Sequence, residues 1–251
     1  MVSVLPSITE IICALGREEL LVGVSDFCKY PPLAVNGKTK VGGCLNPGLE
    51  NIMRLRPDVV FLGEMQSSAA KKLGDLRIKT VSVSQNNIEE IYSSIKTIGI
   101  ELGAEKEADS LISLMRDTLN SGSSESTKKK VLFVVGRNPG TLQNVFTVGK
   151  SSFLYELIEK AGGKPLFGNM KGNYPKISVE EIIRRSPDII IETSGMEQAP
   201  GQKKTWERLE GVPAVKSGNV FFVNKKFITI PGPRITKTFH ILRSIIINAE
   251  S

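Results

Sequence analysis

The sequence predicts an α/β protein made of two similar lobes with parallel sheets, joined by an α-helical strut. The first observation is an internal repeat, because Leu49–Gly63 (LENIMRLRPDVVFLG) returns 130 positions later as Val179–Thr193 (VEEIIRRSPDIIIET). The second is the alternation of short apolar runs with helical patterns, which is typical of parallel, wound sheets. The third is the length of 251 residues, which suits two lobes that each bury a core. We place the N-terminal lobe at 1–102, the connecting helix and linker at 103–127, and the C-terminal lobe at 128–251.

Apolar periodicity and helix-end signals define the elements of the first lobe. The stretch SITE predicts a capping box, in which the Ser7 hydroxyl accepts from the Glu10 amide and Glu10 reaches back to the Ser7 amide. Gly16 then predicts the end of that helix. The predicted elements are, in order, strand Val2–Leu5, helix Ser7–Leu15, strand Leu21–Val24, helix Leu49–Leu55, strand Asp58–Leu62, helix Ser67–Leu76, strand Lys79–Val83 and helix Asn87–Leu102.

A helix predicted over Glu105–Leu119 carries one apolar stripe and forms the strut, and the polar stretch Ser121–Lys130 follows it. The strand and helix pattern then restarts. The predicted elements of the second lobe are strand Lys130–Val135, helix Ser151–Ala161, the repeated helix and strand within Val179–Thr193, strands near Ala214–Lys216 and Val220–Val223, and a final helix from Pro233.

Charge and hydropathy narrow the class of protein. The formal net charge is +7, but the basic residues are scattered, and the one dense run, Lys128–Lys130, follows a polar stretch. We interpret that run as a solvated linker, so no nucleic-acid partner is predicted. No apolar run approaches the length of a membrane span. The sequence opens directly in a predicted strand, so either the protein is cytoplasmic or Met1 stands where a leader was removed.

No catalytic constellation is recognisable. There is no G-x-G-x-x-G after a strand, no phosphate-binding loop and no G-x-S-x-G elbow, and the single histidine, His240, lies inside the last predicted helix. No His, Cys and carboxylate pattern suits a bare metal. We therefore predict no catalytic residue, no metal site and no cofactor, and any metal that the ligand contains is predicted to arrive already chelated.

The three cysteines, Cys13, Cys28 and Cys44, all lie in the first fifth of the chain, without a zinc-binding pattern. Cys13 falls within an apolar helical pattern. Cys28 and Cys44 both fall in predicted loops, and they are the pair that we expect to lie close together and to be able to form a disulfide.

Six of the 15 aromatic residues lie in or beside predicted loops. Any single one can cover a local core, but six of them, spread over both lobes, predict a cleft that stacks on a large, flat, partly apolar ligand. These six are Phe27, Tyr30, Phe167, Tyr174, Trp206 and Phe227. Arg234, at the start of the last helix, either faces a ligand carbonyl or carboxylate or is a solvated helix-start arginine.

Six segments of the sequence together resemble a known family. The segments VSVLPSITEIICALG, LVGVSDFCKYPP, VGGCLNPGLENIMRLRPDVV, SFLYELIEKAGGKPLF, YPKISVEEIIRRSPDIII and GPRI occur in this order. They resemble the substrate-binding proteins of cobalamin and iron–siderophore ABC transporters, over nearly the whole chain. The SxxCxYPP element (Ser25, Cys28, Tyr30, Pro31 and Pro32) is most similar to the cobalamin-binding branch. The resemblance implies a class III fold, with two Rossmann-like lobes rigidly joined by a helix.

The resemblance also implies a function. A corrinoid, cobalamin or cobinamide, would be captured in the cleft between the lobes and delivered to a two-fold ABC permease with its ATPase. Cys44, whose position is often aromatic in the family, belongs to the ligand-facing surface. In the family, one glutamate of each lobe docks onto an arginine of a permease subunit, and Glu50 and Glu180 match these two positions. The alternative is that these two glutamates only favour the helix dipole from the first turn.

The implied protein is extracytoplasmic, free or lipid-anchored, and monomeric when it is not docked. An Fe(III)–siderophore or haem carrier of the same class is the first alternative. An intracellular α/β enzyme or chelatase-like protein is the second.

Overall fold

The computed structural model describes residues 1–121, 129–193 and 202–250, with the backbone alone at Gln202. Most of the predicted linker, 122–128, lies outside these residues. The chain forms two compact units. The N-terminal unit comprises Met1–Met115 with Pro231–Pro233, and the C-terminal unit comprises Arg116–Ile230 with Arg234–Ser251.

The N-terminal unit is built on a parallel, doubly wound sheet. Its strands are β1 (Val2–Ser3), β2 (Gly23–Val24), β3 (Thr39–Lys40), β4 (Val60–Gly63) and β5 (Thr80–Val83), and its helices are α1 (Pro6–Ala14), α2 (Pro32–Val35), α3 (Leu49–Arg54), α4 (Ser67–Asp75), α5 (Ile88–Glu101) and α6 (Glu105–Asn120), the last of which contains the boundary between the units. The strand order is β3-β2-β1-β4-β5, and each neighbouring pair is parallel. The order reverses between β1 and β4, where open α/β sheets place their ligands.

The first helix does not begin with the predicted capping box. Helix α1 begins at Pro6 after Leu5, and no side chain caps it. Proline favours the first helical position because its fixed φ suits a helix and its missing N–H has no helical partner. Ser7 is therefore already inside the helix, buried, and its hydroxyl donates to Gln85 Oε1 at 2.6 Å. The capping-box prediction for Ser7 and Glu10 is wrong for this reason.

The C-terminal unit has a mixed sheet. Its strands are β6 (Lys130–Gly136), β7 (Val145–Thr147), β8 (Lys164–Pro165), β9 (Lys176–Ile177), β10 (Ile189–Thr193) and β11 (Val220–Val223), and its helices are α7 (Phe153–Lys160), α8 (Val179–Arg185), α9 (Gln202–Glu207), α10 (Pro213–Lys216) and α11 (Ile235–Asn248). The order is β11-β10-β6-β7-β9, and β8 also pairs with β6. Strands β6, β8, β10 and β11 pair in parallel, as expected, whereas β7 runs antiparallel to β6 and β9.

The strand expected near Ala214–Lys216 is instead helix α10. Pro213 occupies its first turn and Val212 precedes it in an extended conformation. Three residues are too few to distinguish a period of 2 from one of 3.6, so the proline was the more informative signal.

The repeat in the sequence is also a repeat in strand register. In the N-terminal unit Val2 pairs with Val60, and in the C-terminal unit Leu132 pairs with Ile190, which is the same pairing displaced by 130 positions. Strand β5 then lies beside β4 as β11 lies beside β10. The prediction of two similar α/β lobes is therefore confirmed, and the repeat extends to the pairing of the central strands.

Each copy of the repeat is anchored by one buried isoleucine. Ile52 of α3 belongs to the N-terminal core with Val2, Val60 and other aliphatic residues. Ile182 of α8 belongs to the C-terminal core with Leu132 and Ile190. Burying these isoleucines turns the opposite face of each helix, which carries Glu50 or Glu180, towards solvent.

Candidate ligand-binding and docking residues

Two aromatic side chains stand exposed beyond the carboxyl end of β2. Phe27 is 48% exposed and Tyr30 is 40% exposed. The backbone of their loop is held in place, since Asp26 N donates to Gly42 O (3.0 Å) and Cys28 N donates to Ser25 O (3.1 Å). Two large aromatic surfaces are thus presented to solvent from a hydrogen-bonded loop at the edge of the sheet where ligands of α/β proteins bind.

Cys44 lies in the neighbouring loop, after β3. It is half-buried, and its Sγ lies 3.4 Å from the Ser25 hydroxyl. Burial raises the pKa of the Cys44 thiol, and its hydrogen bond with Ser25 offsets part of that rise. A Cβ added at Gly43 would lie 3.9 Å from the Phe27 ring, so the loops that carry Phe27 and Cys44 are in close proximity.

Two of the predicted aromatic residues of the C-terminal unit are buried. Phe167 and Trp206 are each 1% exposed and belong to the core of that unit. Phe167 packs against Arg185, whose Cζ lies 4.5 Å from the ring centroid. In this conformation neither ring presents a surface to a ligand. Each ring would have to move out of the core before it could contact a ligand.

Trp206 is held by a buried charged pair that sequence reasoning missed. Its Nε1 donates to Glu192 Oε2 at 2.6 Å, and Glu192 Oε1 lies 3.0 Å from Arg137 Nε. The Glu192 and Arg137 side chains are 5% and 3% exposed. Arg137 also donates to Thr141 O at 2.6 Å and lies over the Trp206 ring. Glu192 lies in β10 and Arg137 directly follows β6. The charged residues at the carboxyl ends of these two central strands were the sequence signal that could have predicted the pair.

Tyr174, Phe227 and Arg234 are more accessible. Tyr174 is 42% exposed, although the surrounding protein raises the pKa of its phenol to about 12 through burial. Surface exposure is the property that matters for ligand contact, and the protonated phenol can donate a hydrogen bond. Phe227 is half-buried, and Arg234 Cζ lies 4.8 Å from its ring centroid. Arg234 therefore packs on an aromatic ring at the start of α11 and is not a fully solvated side chain.

Glu50 and Glu180 are exposed in the first turns of α3 and α8. The capping role at α8 is taken by Ser178 and Glu181: Ser178 Oγ accepts from Glu181 N (3.3 Å), and Ser178 N donates to Glu181 Oε2 (3.2 Å). At α3 the residue before the helix is Gly48, and no side chain caps it. The Glu180 N–H and the Ser178 hydroxyl hold the pKa of the Glu180 carboxyl below its usual value. Neither glutamate closes a capping box.

Within the described ranges, no three or more His, Cys, Asp and Glu side chains come together as a metal-binding group. Within the same ranges, no helix combines the length and the apolar content needed to cross a membrane.

Comparison with known proteins places these features in one family. Residues 1–226 match the family described as Periplasmic binding protein. The chain belongs to this family. It is a substrate-binding protein of the ABC-transporter type, with the class III fold.

This periplasmic binding protein is similar in sequence to two relatives and in structure to one solved protein. The uncharacterized ABC transporter substrate-binding lipoprotein YvrC of Bacillus subtilis is 32% identical over 247 residues, covering 94% of this chain and 76% of that protein. The vitamin B12-binding protein of Salmonella typhimurium is 26% identical over 227 residues, covering 88% of this chain and 82% of that protein. A possible iron-binding (periplasmic solute-binding) protein from Staphylococcus epidermidis has a TM-score of 0.83 and 30% identity, covering 98% of this chain and 97% of that one.

Proposed function

We propose that this periplasmic binding protein captures a corrinoid, cobalamin or cobinamide, and delivers it to a two-fold ABC permease with its ATPase. The observation that carries the proposal is the exposed aromatic pair Phe27 and Tyr30, at the carboxyl edge of a doubly wound sheet, within the SxxCxYPP element. A relative that binds vitamin B12 supports the same ligand class.

The chemistry of the described residues suits a ligand of this kind. A corrin ring is broad, flat and partly apolar, and it holds its cobalt without help from the protein. Exposed aromatic rings bury such a surface at low entropic cost and stack on it favourably. Tyr174 of the C-terminal unit is exposed to a similar extent as Tyr30, so each unit offers an aromatic surface.

An iron–siderophore or haem ligand is the second candidate, and one observation favours it. Haem iron bound by a protein needs an axial ligand, and tyrosine is one of the residues that supply it. Tyr30 presents such a side chain, which is 40% exposed. A solved relative described as possibly iron-binding adds to the case. The intracellular α/β enzyme or chelatase-like alternative has less support, since the family is one of substrate-binding transport components.

Docking to the permease is proposed for Glu50 and Glu180. Their equivalent positions follow from the shared strand register of the two units, and each side chain is exposed and outside a capping box. A pair of matched carboxylates suits the two identical subunits of a two-fold permease, each of which would offer an arginine. We also propose an extracytoplasmic location with a lipid anchor, as in the B. subtilis lipoprotein.

The ligand proposal is tested by absorbance after dialysis against cyanocobalamin, dicyanocobinamide, haemin or a ferric hydroxamate siderophore. Retention of a corrinoid spectrum at one equivalent per chain is expected. Phe27→Ala and Tyr30→Ala should each weaken binding by about tenfold, since an aromatic contact contributes about 1 kcal/mol or more. Phe146→Ala is the matched control, because Phe146 is 40% exposed on β7 of the other unit. Retention of haemin or siderophore without any corrinoid would replace the first candidate with the second, and tight binding of free Fe(III) would overturn both.

A further inference from the structure

Two cysteine side chains contact one buried hydroxyl at the carboxyl edge of the N-terminal sheet. Ser25 Oγ lies 3.2 Å from Cys28 Sγ and 3.4 Å from Cys44 Sγ. The sum of these distances, 6.6 Å, is the upper limit of the separation between the two sulfur atoms. Both cysteines are free thiols in the structure. To reach the bonding distance of about 2.05 Å, the two side chains must rotate towards each other and the Ser25 hydroxyl must move aside.

The backbone geometry also suits a cross-link. Strands β2 and β3 are parallel neighbours, with Val24 paired to Lys40. Cys28 and Cys44 each lie four residues beyond this pair. The strands continue side by side past the pair, because Val41 N donates to Val24 O and Asp26 N donates to Gly42 O, both at 3.0 Å. The two loops therefore start at neighbouring strands, which lie about 4.8 Å apart, and the shared contact with Ser25 brings both sulfur atoms to one place.

We propose that Cys28 and Cys44 form a reversible disulfide that joins the loop after β2 to the loop after β3. The oxidant required is a low-molecular-weight disulfide. The half-buried Cys44 gives up its proton and attacks one sulfur of the oxidant, which forms a mixed disulfide and releases the first thiol. The fully buried Cys28 then attacks Cys44 Sγ and releases the second thiol. Two protein thiols and one small disulfide thus yield one protein disulfide and two small thiols, and the protons leave on the latter.

The cross-link has a consequence for ligand capture, which rests on the proposed function. Phe27 lies between Ser25 and Cys28, so drawing Cys44 towards Cys28 moves the loop that presents the Phe27 ring. The Cys44 thiol is also removed from the surface beside that ring. We expect oxidation to weaken ligand binding by at least about fivefold, the lower end of typical coupling between two sites.

The cross-link itself is tested without any ligand. The full chain is incubated with oxidised glutathione, alkylated, and digested with trypsin. Each cysteine falls in a different tryptic peptide, Met1–Arg17, Glu18–Lys29 or Val41–Arg54. The expected product joins Glu18–Lys29 to Val41–Arg54, and the thiol count of the denatured chain falls from three to one. Three remaining thiols, or a product that contains Met1–Arg17, would overturn the proposal. The second outcome is a real competitor, because Cys28 lies close enough to Cys13 to influence the pKa of its thiol.

Matched variants separate the pair from the third cysteine. Cys13→Ser should retain the cross-link, whereas Cys28→Ser and Cys44→Ser should abolish it. Ser25→Ala, which removes the hydroxyl that both sulfur atoms contact, should form the cross-link faster. Oxidation should raise the Tm of the N-terminal unit by about 5 °C or more, because the disulfide closes a loop of intermediate length, and dithiothreitol should reverse the shift.

A second assay compares the affinity of the reduced and oxidised chains for cyanocobalamin. Equal affinity in the two forms would mean that the disulfide does not regulate ligand binding and is a structural link only. Absence of corrinoid binding in both forms would count against the proposed function alone, since peptide mapping detects the disulfide independently.

Discussion

The buried charged pair of the C-terminal unit allows a quantitative prediction. Glu192 accepts from the Trp206 indole and lies 3.0 Å from Arg137, and both charged side chains are almost fully removed from water. Replacing Glu192 by Gln keeps an oxygen for the indole but leaves the guanidinium buried without its counter-charge. Removing one member of a buried pair costs about 3–5 kcal/mol. Glu192→Ala should cost more, because the indole also loses its acceptor, a further loss of about 1–3 kcal/mol.

The assay is urea unfolding followed by tryptophan fluorescence, which reports on this site because Trp206 is the only tryptophan in the chain. With a slope of about 1–3 kcal/mol per molar urea, the midpoint for Glu192→Gln should fall by at least about 1 M. The double variant Arg137→Met with Glu192→Gln removes both charges and keeps the indole acceptor. It should therefore recover most of the lost stability, since apolar or neutral replacement of a whole buried pair is often nearly neutral.

Two outcomes of the urea titration would contradict this prediction. A midpoint unchanged in Glu192→Gln would mean that the pair contributes nothing once desolvation is counted. A double variant as unstable as Glu192→Gln would mean that the loss came from packing around the side chains and not from an unpaired charge. Glu159→Gln, at a site on α7 of the same unit, provides the surface control.

Three further predictions concern transport and ligand capture. The double variant Glu50→Ala with Glu180→Ala should abolish delivery to the permease, while its unfolding midpoint and ligand affinity stay nearly unchanged. The control Glu181→Ala should lower the free energy of unfolding by about 1 kcal/mol through loss of the helix cap and should keep transport. A double variant that loses stability but still transports would identify Glu50 and Glu180 as helix-stabilising only. Phe27→Ala should raise the ligand Kd about tenfold without lowering the Tm, and a fall in Tm would assign that ring to the core instead. If α6 is a rigid strut, X-ray scattering with and without ligand should be nearly superimposable, and a large domain closure would contradict it.

The sequence determined the repeat, the fold class and most helices, because these depend on local patterns. Apolar spacing specified α6, whose predicted range of Glu105–Leu119 differs from the observed helix by one residue. The constant offset of 130 positions predicted two similar lobes, and the strand registers of the two units repeat the same offset. The exposure of Glu50 and Glu180 followed from the same pattern, since the buried isoleucine two positions later determines which face is turned outwards.

Which loop side chains turn inwards depends on packing between segments that are distant in sequence. Phe27 and Phe167 both fall in predicted loops, yet one is half exposed and the other is buried under Arg185. The contacts of Trp206, Glu192 and Arg137, and of Cys28, Ser25 and Cys44, join residues that are distant in sequence, and no local spacing encodes them. Parallel strands place the ends of remote segments at one sheet edge, so the chemistry gathered there depends on strand order, which a single sequence leaves open.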